Sequence, residues 1–318
     1  MPSADFAESQ QWNFTDGEYG VIYHIGSMPG DHKLWHNAFA VTCPDGSVLA
    51  TKVVGRGPPD RFGAYSVNAQ TTDSYKSWTV QFDGGLRRYQ PEALQVGPGT
   101  DGLHVPVKVD LRICASHPVW EPGAGSKEAG DNIFQTMARM HHEQALTTEG
   151  TIEIAGRRVD FGGVGHRDHS FGPRDFGLLL TGLWINATFD NGWAFLVFEG
   201  LLDGLAPVKR GSIFENGQII ECEALHEAEL TTTAPDPKTF ELTLRTADGR
   251  RRVMRVTCKG GVNWTGVGAT EWCVGTDLSA PRNYIFTHYF AEFECEGVRG
   301  LGFVDRGARA SRLNLPSI

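Results

Sequence analysis

The sequence predicts an all-β protein built as two barrel-like halves of antiparallel strands. Three observations support this prediction: apolar and polar residues alternate with period two along most of the chain, glycine-containing turn pairs interrupt the alternation, and helical periodicity is scarce. The chain has 318 residues and 39 glycines, which suits many short strands joined by tight turns. Its length exceeds the ~100–200 residues of a typical domain, so two moderate domains or one large domain are expected.

The predicted strands follow one another as hairpins. Residues 109–114 alternate apolar and polar side chains. Three later runs each reverse at a turn pair: 152–161 at Ala155-Gly156, 212–220 at Asn216-Gly217, and 242–256 at Asp248-Gly249. An Asn-Gly pair supplies the positive φ angles that a two-residue hairpin turn requires. No Gly-x-Gly-x-x-Gly opens a helix, which argues against a parallel sheet that binds nucleotides.

The strand periodicity breaks between residues 118 and 140. Residues 118–130 are rich in Gly, Pro and Ala, which predicts a linker or long loop. Residues 126–140 predict one short helix, with Asp131 as a candidate cap for its second half. We therefore expect an N-terminal β-domain over residues 1–125 and a C-terminal β-domain over residues 126–318.

The charge balance disfavours several classes of partner. The net charge of −9 and the sequence pI near 5.7 argue against nucleic acid and anionic membrane surfaces, which both attract clustered Lys and Arg. The apolar runs fall far short of the ~20 residues of a membrane span, and the first residues lack the pattern of a signal peptide. The six cysteines form no Cys-x-x-Cys pair. We expect a cytoplasmic protein without stable membrane insertion, and a homodimer stays open.

The densest group of reactive side chains lies at residues 165–175, with two histidines, two arginines, two aspartates and a serine. Side chains alternate on an extended backbone, which places His166, Asp168 and Ser170 on one face and Arg167 and His169 on the other. This set suits proton transfer, because an apolar cavity raises the pKa of an aspartic acid and a neighbouring histidine can relay the proton. The alternative is a structural salt-bridge network of Arg167, Asp168 and Arg174 at a barrel corner.

Two further groups of residues are relevant to a site. His141-His142-Glu143-Gln144 lies upstream, and a metal site that combines it with His166 or His169 is an alternative without diagnostic spacing. Downstream aromatics suit an apolar ligand or an ordinary core: Trp184, Phe189, Trp193, Phe195 and Phe198. A looser polar set near the N-terminus comprises His24, Trp35, His36, Asn37, Asp60 and Arg61. No Gly-x-Ser-x-Gly elbow supports nucleophilic hydrolysis.

The stretch Gly165-x-Arg167-Asp168-His169-Ser170-Phe171-Gly172-Pro173-Arg174-Asp175, together with His142-Glu143-Gln144, resembles the carotenoid 1,2-hydratase (hydroxyneurosporene synthase) superfamily. The glycine-rich run 300–307 is similar to the last strand of that family, whereas Phe171 stands where the family has a tryptophan. The resemblance covers residues 140–199 best and is thin over the first hundred residues. It implies two lipocalin-like β-barrel domains in tandem with few short helices, the C-terminal one carrying the Arg-Asp-His-Ser motif. It also implies a ligand site in or between the barrels and no redox cofactor.

Members of the superfamily and their relatives hydrate isolated double bonds, cyclise terpenoids or polyketides, or close rings pericyclically. We therefore expect a cofactor-independent lyase or isomerase (hydratase, cyclase or double-bond isomerase) for an apolar, terpenoid- or polyene-like molecule. Asp168 is the predicted general acid, His169 its base or relay, and Arg167 with Arg174 the electrostatic frame. The predicted pocket lining is His142, His166, Trp184, Phe195 and Trp35, without a metal. The alternatives are a non-catalytic carrier of an apolar ligand and a metal-dependent enzyme that uses His142, His166 or His169.

Overall fold

Two antiparallel sheets of nine strands each make up the computed structural model, which describes residues 6–58, 61–122, 140–173, 178–226, 228–234, 236–267 and 271–313. Helix is confined in these residues to one turn-length α-helix and a 3₁₀ turn. The prediction of an all-β fold with few short helices is therefore confirmed. Among the described residues, no helix is both long enough and apolar enough to cross a membrane.

The first sheet closes into a barrel because β4 pairs with β6 while β1 pairs with β9. Its strand order is β4-β3-β2-β1-β9-β8-β7-β6-β5, with β5 outside the closed ring. The elements are β1 (Phe6–Thr15), β2 (Gly20–Met28), β3 (Asp31–Thr42), β4 (Val48–Arg56), β5 (Val67–Asp73), β6 (Ser77–Tyr89), α1 (Pro91–Val96), β7 (Leu103–Ala115), β8 (Met140–Ile154) and β9 (Arg157–Pro173).

The second sheet repeats this plan. Its order is β14-β13-β12-β11-β10-β18-β17-β15-β16, and pairing of β14 with β15 closes the barrel. The elements are β10 (Leu179–Phe189), β11 (Ala194–Leu202), β12 (Val208–Glu215), β13 (Gln218–His226), β14 (Thr239–Thr246), β15 (Arg251–Val267), β16 (Glu271–Val274), β17 (Tyr284–Cys295), β18 (Val298–Arg309) and a 3₁₀ turn (Ala310–Arg312). In both barrels the first strand pairs with the last.

The predicted hairpins form at the predicted turns. Ala155 and Asn216 have φ angles of 52° and 53°, and each is followed by a glycine with positive φ. The third turn places Gly249 at φ 85°. These left-handed residues let the flanking strands pair directly, as in Ile152 opposite Val159.

The sheet topology differs from the predicted division at residues 125 and 126. Strands β8 and β9 pair with β7 and β1, so the first sheet extends to Pro173 and the second begins at Leu179. The Arg-Asp-His-Ser motif therefore lies in the first barrel and not in the second. The composition of residues 118–130 predicted a domain boundary there, whereas these Gly- and Pro-rich residues connect β7 and β8, two neighbouring strands of one sheet. The helix predicted over 126–140 lies outside the described residues, except for Met140, which begins β8.

Each barrel has its own apolar interior, and a third apolar cluster joins the two barrels. Ala38, Ala40 and Ala50 of the first barrel pack in this joining cluster with Trp264 and Phe290 of the second. Small alanines on β3 and β4 allow the second barrel to approach closely, and the large rings fill the space. Strands at this contact bury both faces, which explains why residues 35–42 of β3 are buried without alternation.

Candidate active site between the barrels

The motif strand β9 presents its side chains to two different environments. The guanidinium of Arg167 lies 5.2 Å and 5.0 Å from the ring centroids of Trp12 and Trp78, inside the first barrel. Asp168 points the other way and lines a cavity between the barrels. The predicted alternation along residues 166–170 is therefore confirmed. A single strand supplies both a buried structural face and a face toward the second barrel.

The inward face forms a hydrogen-bonded chain inside the first barrel. A terminal nitrogen of Arg167 donates to Nδ1 of His169 at 2.7 Å, so Nε2 of His169 carries the proton and donates to Glu8 Oε1 at 2.7 Å. Arg167 Nε also donates to Gln10 Oε1 at 3.3 Å. Burial lowers the pKa of Arg167 to about 10. These hydrogen bonds link β9 to β1, as expected for a structural network.

Two other predicted site residues also lie in the first barrel. His142 Nε2 is 3.1 Å from Glu121 Oε1, and burial lowers the pKa of His142. Trp35 packs edge-on against Phe62 with ring centroids 5.9 Å apart. His142 and Trp35 thus belong with Arg167 and do not line the cavity between the barrels.

A cavity of about 150 Å³ lies where the two barrels meet. Its walls combine aromatic rings, mainly from the second barrel, with a polar group from the first. The aromatic lining is Trp184, Phe198, Trp272, Tyr284 and Phe286, and the ionisable residues along the cavity are His24, His141, Glu143, Asp168, Glu199, His288, Asp305 and Arg306. We call this space the interbarrel cavity. The cavity is partly open, and its volume alone matches that of a protein cavity that binds benzene.

Glu143 organises the wall that the first barrel contributes. Its carboxylate lies 2.6 Å from His141 Nε2 and 2.8 Å from His166 Nε2, and it accepts a hydrogen bond from Trp184 Nε1 at 3.1 Å. The side chain of Glu143 is fully buried, so these three contacts replace its hydration. The hydrogen bond from Trp184 crosses from the second barrel, and His166 lies behind the cavity wall against the Trp184 ring.

Asp168 completes this wall. Its Oδ1 accepts a hydrogen bond from Ser170 at 2.7 Å, and its Oδ2 lies 3.9 Å from His141 Nε2. The imidazole of His141 therefore lies between the carboxylates of Glu143 and Asp168. Donor atoms of these three residues lie within 4.8 Å of one another, so a divalent cation at this wall would have His141, Glu143 and Asp168 as ligands. The metal site considered with His142, His166 and His169 is not assembled, since His166 faces the second barrel and the other two face inward.

Asp305 and His288 form the facing wall on the second barrel. They are direct neighbours across β17 and β18, with Asp305 Oδ1 3.5 Å from His288 Nδ1. Asp305 Oδ2 accepts hydrogen bonds from Gln11 at 3.1 Å and Asn13 at 3.3 Å. Burial raises the pKa of Asp305 well above its usual value, and the charge of Glu143 raises it further. Burial lowers the pKa of His288 to about 3, so His288 is neutral at neutral pH, and burial favours the protonated form of Asp305.

The structure brings together only some of the predicted site residues. Asp168 and Trp184 line the interbarrel cavity, and His166 packs against the ring of Trp184 behind its wall. Phe195 packs inside the second barrel against Trp193 and Phe293, because it stands on the opposite face of β11 from Phe198. Arg174 lies outside the described residues. Asp168 and His169 point to opposite sides of β9 and do not contact each other there.

Sequence reasoning missed the wall of the second barrel. One signal for it exists in the sequence: Tyr284, Phe286 and His288 alternate along β17, and Asp305 interrupts a glycine-rich apolar strand. A charged residue in such a strand is costly to bury unless it serves a site. The contribution of Gln11 had no local signal, because it depends on how the second barrel packs against β1.

Closed antiparallel barrels in tandem, with a polar and aromatic site between them, define a lipocalin-like fold, and the fold that the motif implied is confirmed. Residues 1–307 match the family described as "Domain of unknown function (DUF7064)", and the chain belongs to that family. No curated protein matches the sequence.

Two solved structures illustrate the shared fold. A putative AttH from Nitrosomonas europaea is similar with a TM-score of 0.61 and 11% sequence identity, covering 95% of this chain and 91% of that chain. CghA, in a crystal structure with Sch210972, is similar with a TM-score of 0.59 and 10% identity, covering 96% of this chain and 89% of that chain. At these identities the likeness concerns the fold alone.

Proposed function

We propose that this protein is a lyase or isomerase that moves protons on an apolar small molecule in the interbarrel cavity, without a redox cofactor. The observation that carries the proposal is the pairing of two unlike walls around an aromatic space. One wall holds a buried carboxyl, Asp305, whose pKa is raised, and the other holds His141 between two carboxylates. Titratable groups with contrasting environments on either side of one cavity suit general acid and general base roles.

In this proposal Asp305 gives its proton to one carbon of a double bond, which leaves positive charge on the neighbouring carbon. The faces of Trp184, Trp272 and Phe286 stabilise that charge as it develops. His141 then takes a proton from an adjacent carbon, which shifts the double bond, or from a water that adds to the cation. In the first case the electron pair of the broken C–H bond forms the new double bond. In the second case the electron pair of the broken O–H bond stays on the oxygen of the alcohol.

The assignment of roles differs from the one that the motif suggested. Asp168 was the expected general acid, but its hydrogen bond from Ser170 suits a carboxylate acceptor better than a proton donor. Asp305 is the stronger candidate for the acid because burial favours its protonated form. His169 points into the first barrel, so the role of the base is better suited to His141, with Asp168 beside it.

The substrate class also stays a proposal. Aromatic rings suit a hydrophobic, unsaturated skeleton of the terpenoid or polyene kind. The crystal structure of CghA with Sch210972 supports the idea that a protein of this fold holds a small molecule.

Deuterium transfer from D₂O to substrate carbon tests the reaction directly. The protein is incubated with a panel of unsaturated terpenoids, and products are analysed by mass spectrometry for a deuterium on carbon. Asp305→Asn should reduce the rate of incorporation about 10²–10⁴-fold, as expected for loss of a general acid. Asp168→Asn should slow it less, and Asp83→Asn, an exposed aspartate on β6, serves as the control. Unchanged incorporation in Asp305→Asn would refute the assigned acid.

The second candidate function is a carrier of an apolar ligand. The observation that favours it is the largely aromatic cavity, which by itself suits binding without chemistry. A carrier binds its ligand without incorporation of deuterium into the ligand. In that case, substitution of Asp168 or Arg167 would change only the folding stability.

A further inference from the structure

Tyr284 occupies the interbarrel cavity at a distance from the acid–base groups. Residues 284, 286 and 288 share one face of β17, and Tyr284 is four residues from His288. At the rise of an extended strand this separation is roughly 13 Å. Tyr284 therefore marks a second polar position along the same cavity, at an end that is otherwise lined by Leu179 and Phe286.

Two glycines bring the Tyr284 hydroxyl to the cavity wall. Gly182 and Gly307 lie opposite each other on β10 and β18, and both line the cavity. A Cβ atom at Gly182 would lie 2.9 Å from the Tyr284 hydroxyl, and one at Gly307 would lie 2.5 Å from it. Side chains at these two positions would displace the tyrosine ring, so the glycines keep the hydroxyl at this place.

The hydroxyl of Tyr284 is buried and has no hydrogen-bond partner among the residues that the structure describes. Burial also raises the pKa of Tyr284, so the hydroxyl keeps its proton. Glu199 lies at the same cavity, but its carboxylate is 2.9 Å from Lys209 Nζ and 3.1 Å from His226 Nε2. A buried polar group rarely lacks a hydrogen-bond partner, so we expect the Tyr284 hydroxyl to have one.

We infer that the ligand of the interbarrel cavity carries an oxygen, as a carbonyl or hydroxyl, that accepts a hydrogen bond from Tyr284. The inference rests on the proposed site and narrows its substrate class to oxygenated apolar molecules, such as unsaturated terpenoid ketones, rather than pure hydrocarbons. A hydrocarbon would fill the cavity and leave the Tyr284 hydroxyl unpaired, whereas a ketone oxygen satisfies it. The oxygen anchors one end of the ligand, and the double bond lies toward Asp305 and His141.

Carvone and limonene form a matched pair of probes, because they share a skeleton and differ mainly by one ketone. Their dissociation constants are measured by calorimetric titration of the full chain. A purely apolar cavity favours limonene, the more hydrophobic of the two. We expect the reverse order, with carvone bound about tenfold more tightly, as one buried hydrogen bond provides. Tyr284→Phe should weaken carvone binding about tenfold and leave limonene binding unchanged.

Tyr23→Phe is the matched control. Tyr23 is a fully buried tyrosine of the first barrel whose hydroxyl also lacks a partner among the described residues. Both variants remove one such hydroxyl, so both should fold with at least wild-type thermal stability, and Tyr23→Phe should keep the preference for carvone.

The remaining outcomes are distinguishable from one another, and all but the last count against the inference. Limonene bound as tightly as carvone, or no binding of carvone at all, refutes an oxygen-binding position. A preference for carvone that survives Tyr284→Phe and is lost in Asp305→Asn assigns the oxygen to Asp305 and overturns the role of Tyr284. Carvone binding that depends on Tyr284, without deuterium incorporation in any substrate, supports the inference and refutes the proposed reaction.

Discussion

The last strands of the two barrels carry the same pair of residues in opposite order. Strand β9 has Arg167-Asp168 and strand β18 has Asp305-Arg306. In each strand the arginine points into its own barrel, and the aspartate points to the interbarrel cavity. Because each last strand pairs with the first strand of its barrel, the two aspartates reach the cavity from equivalent places in two equivalent folds.

The surroundings of the two pairs differ, and that difference separates their chemistry. Asp168 is 24% exposed and accepts a hydrogen bond from Ser170, whereas Asp305 is 9% exposed and is contacted by Gln11, Asn13 and His288. Two aspartates in equivalent positions thus become a candidate acceptor and a candidate donor of protons. Residue type and fold position alone do not define a role; the first barrel does so here by covering Asp305 with Gln11 and Asn13.

The two buried arginines offer the largest expected effect on stability. Arg167 packs over the rings of Trp12 and Trp78 and donates to His169, whereas Arg306 packs over Phe240 and donates to the carbonyl of Pro237. Truncation to alanine leaves a cavity and removes these contacts, so each variant should lose about 3 kcal/mol of unfolding free energy. We expect Arg167→Ala to lose more, because it leaves two aromatic rings and His169 without their partner.

Urea denaturation measures both free energies. Arg56→Ala, which breaks an exposed pair with Asp31, is the control and should change stability by less than about 1 kcal/mol. Arg167→Ala should also retain deuterium incorporation, since its side chain does not line the cavity. A loss of incorporation in a well-folded Arg167→Ala protein would contradict the division of β9 into a structural face and a functional face.

The pH dependence of stability separates Asp305 from His288. The raised pKa of Asp305 means that the folded state holds a proton that the unfolded state releases above about pH 4, so stability falls as pH rises above that value. The lowered pKa of His288, about 3, has the opposite consequence. Between its folded pKa and about pH 6.5 the unfolded state binds the extra proton, and stability rises with pH. The two contributions therefore oppose each other above about pH 4.

Asp305→Asn should leave His288 as the source of the remaining pH dependence of the unfolding free energy. Relative to wild type, its unfolding free energy should increase with pH above about pH 4, by up to about 1.4 kcal/mol per pH unit. His288→Asn should show the reverse trend relative to wild type. Unfolding free energies at a series of pH values measure both slopes. Parallel profiles for wild type and both variants would mean that Asp305 and His288 exchange no net proton on folding.

The strand pattern was predictable from local sequence, and the division of the chain was not. Period-two alternation and turn pairs such as Asn216-Gly217 specify hairpins through interactions between near neighbours. The boundary at residue 173 depends on β9 pairing with β1, a contact between residues more than 150 positions apart that no local pattern encodes. Asp168 was predictable as a site residue because its motif is dense, whereas Asp305 gains its role from Gln11 and Asn13 of the other barrel.

The hydrogen bond between the barrels gives the smallest expected effect. Trp184 Nε1 of the second barrel donates to Glu143 of the first at 3.1 Å. Trp184→Phe keeps an aromatic ring and removes this donor, so the unfolding free energy should fall by about 1–2 kcal/mol. A double-mutant cycle with Glu143→Gln isolates the pair from the change in ring size, and we expect a coupling energy of about 1 kcal/mol. Additive single effects would mean that this bond contributes nothing, and that the barrels are held together by the apolar packing at Ala38 and Trp264 and by the hydrogen bonds from Gln11 and Asn13 to Asp305.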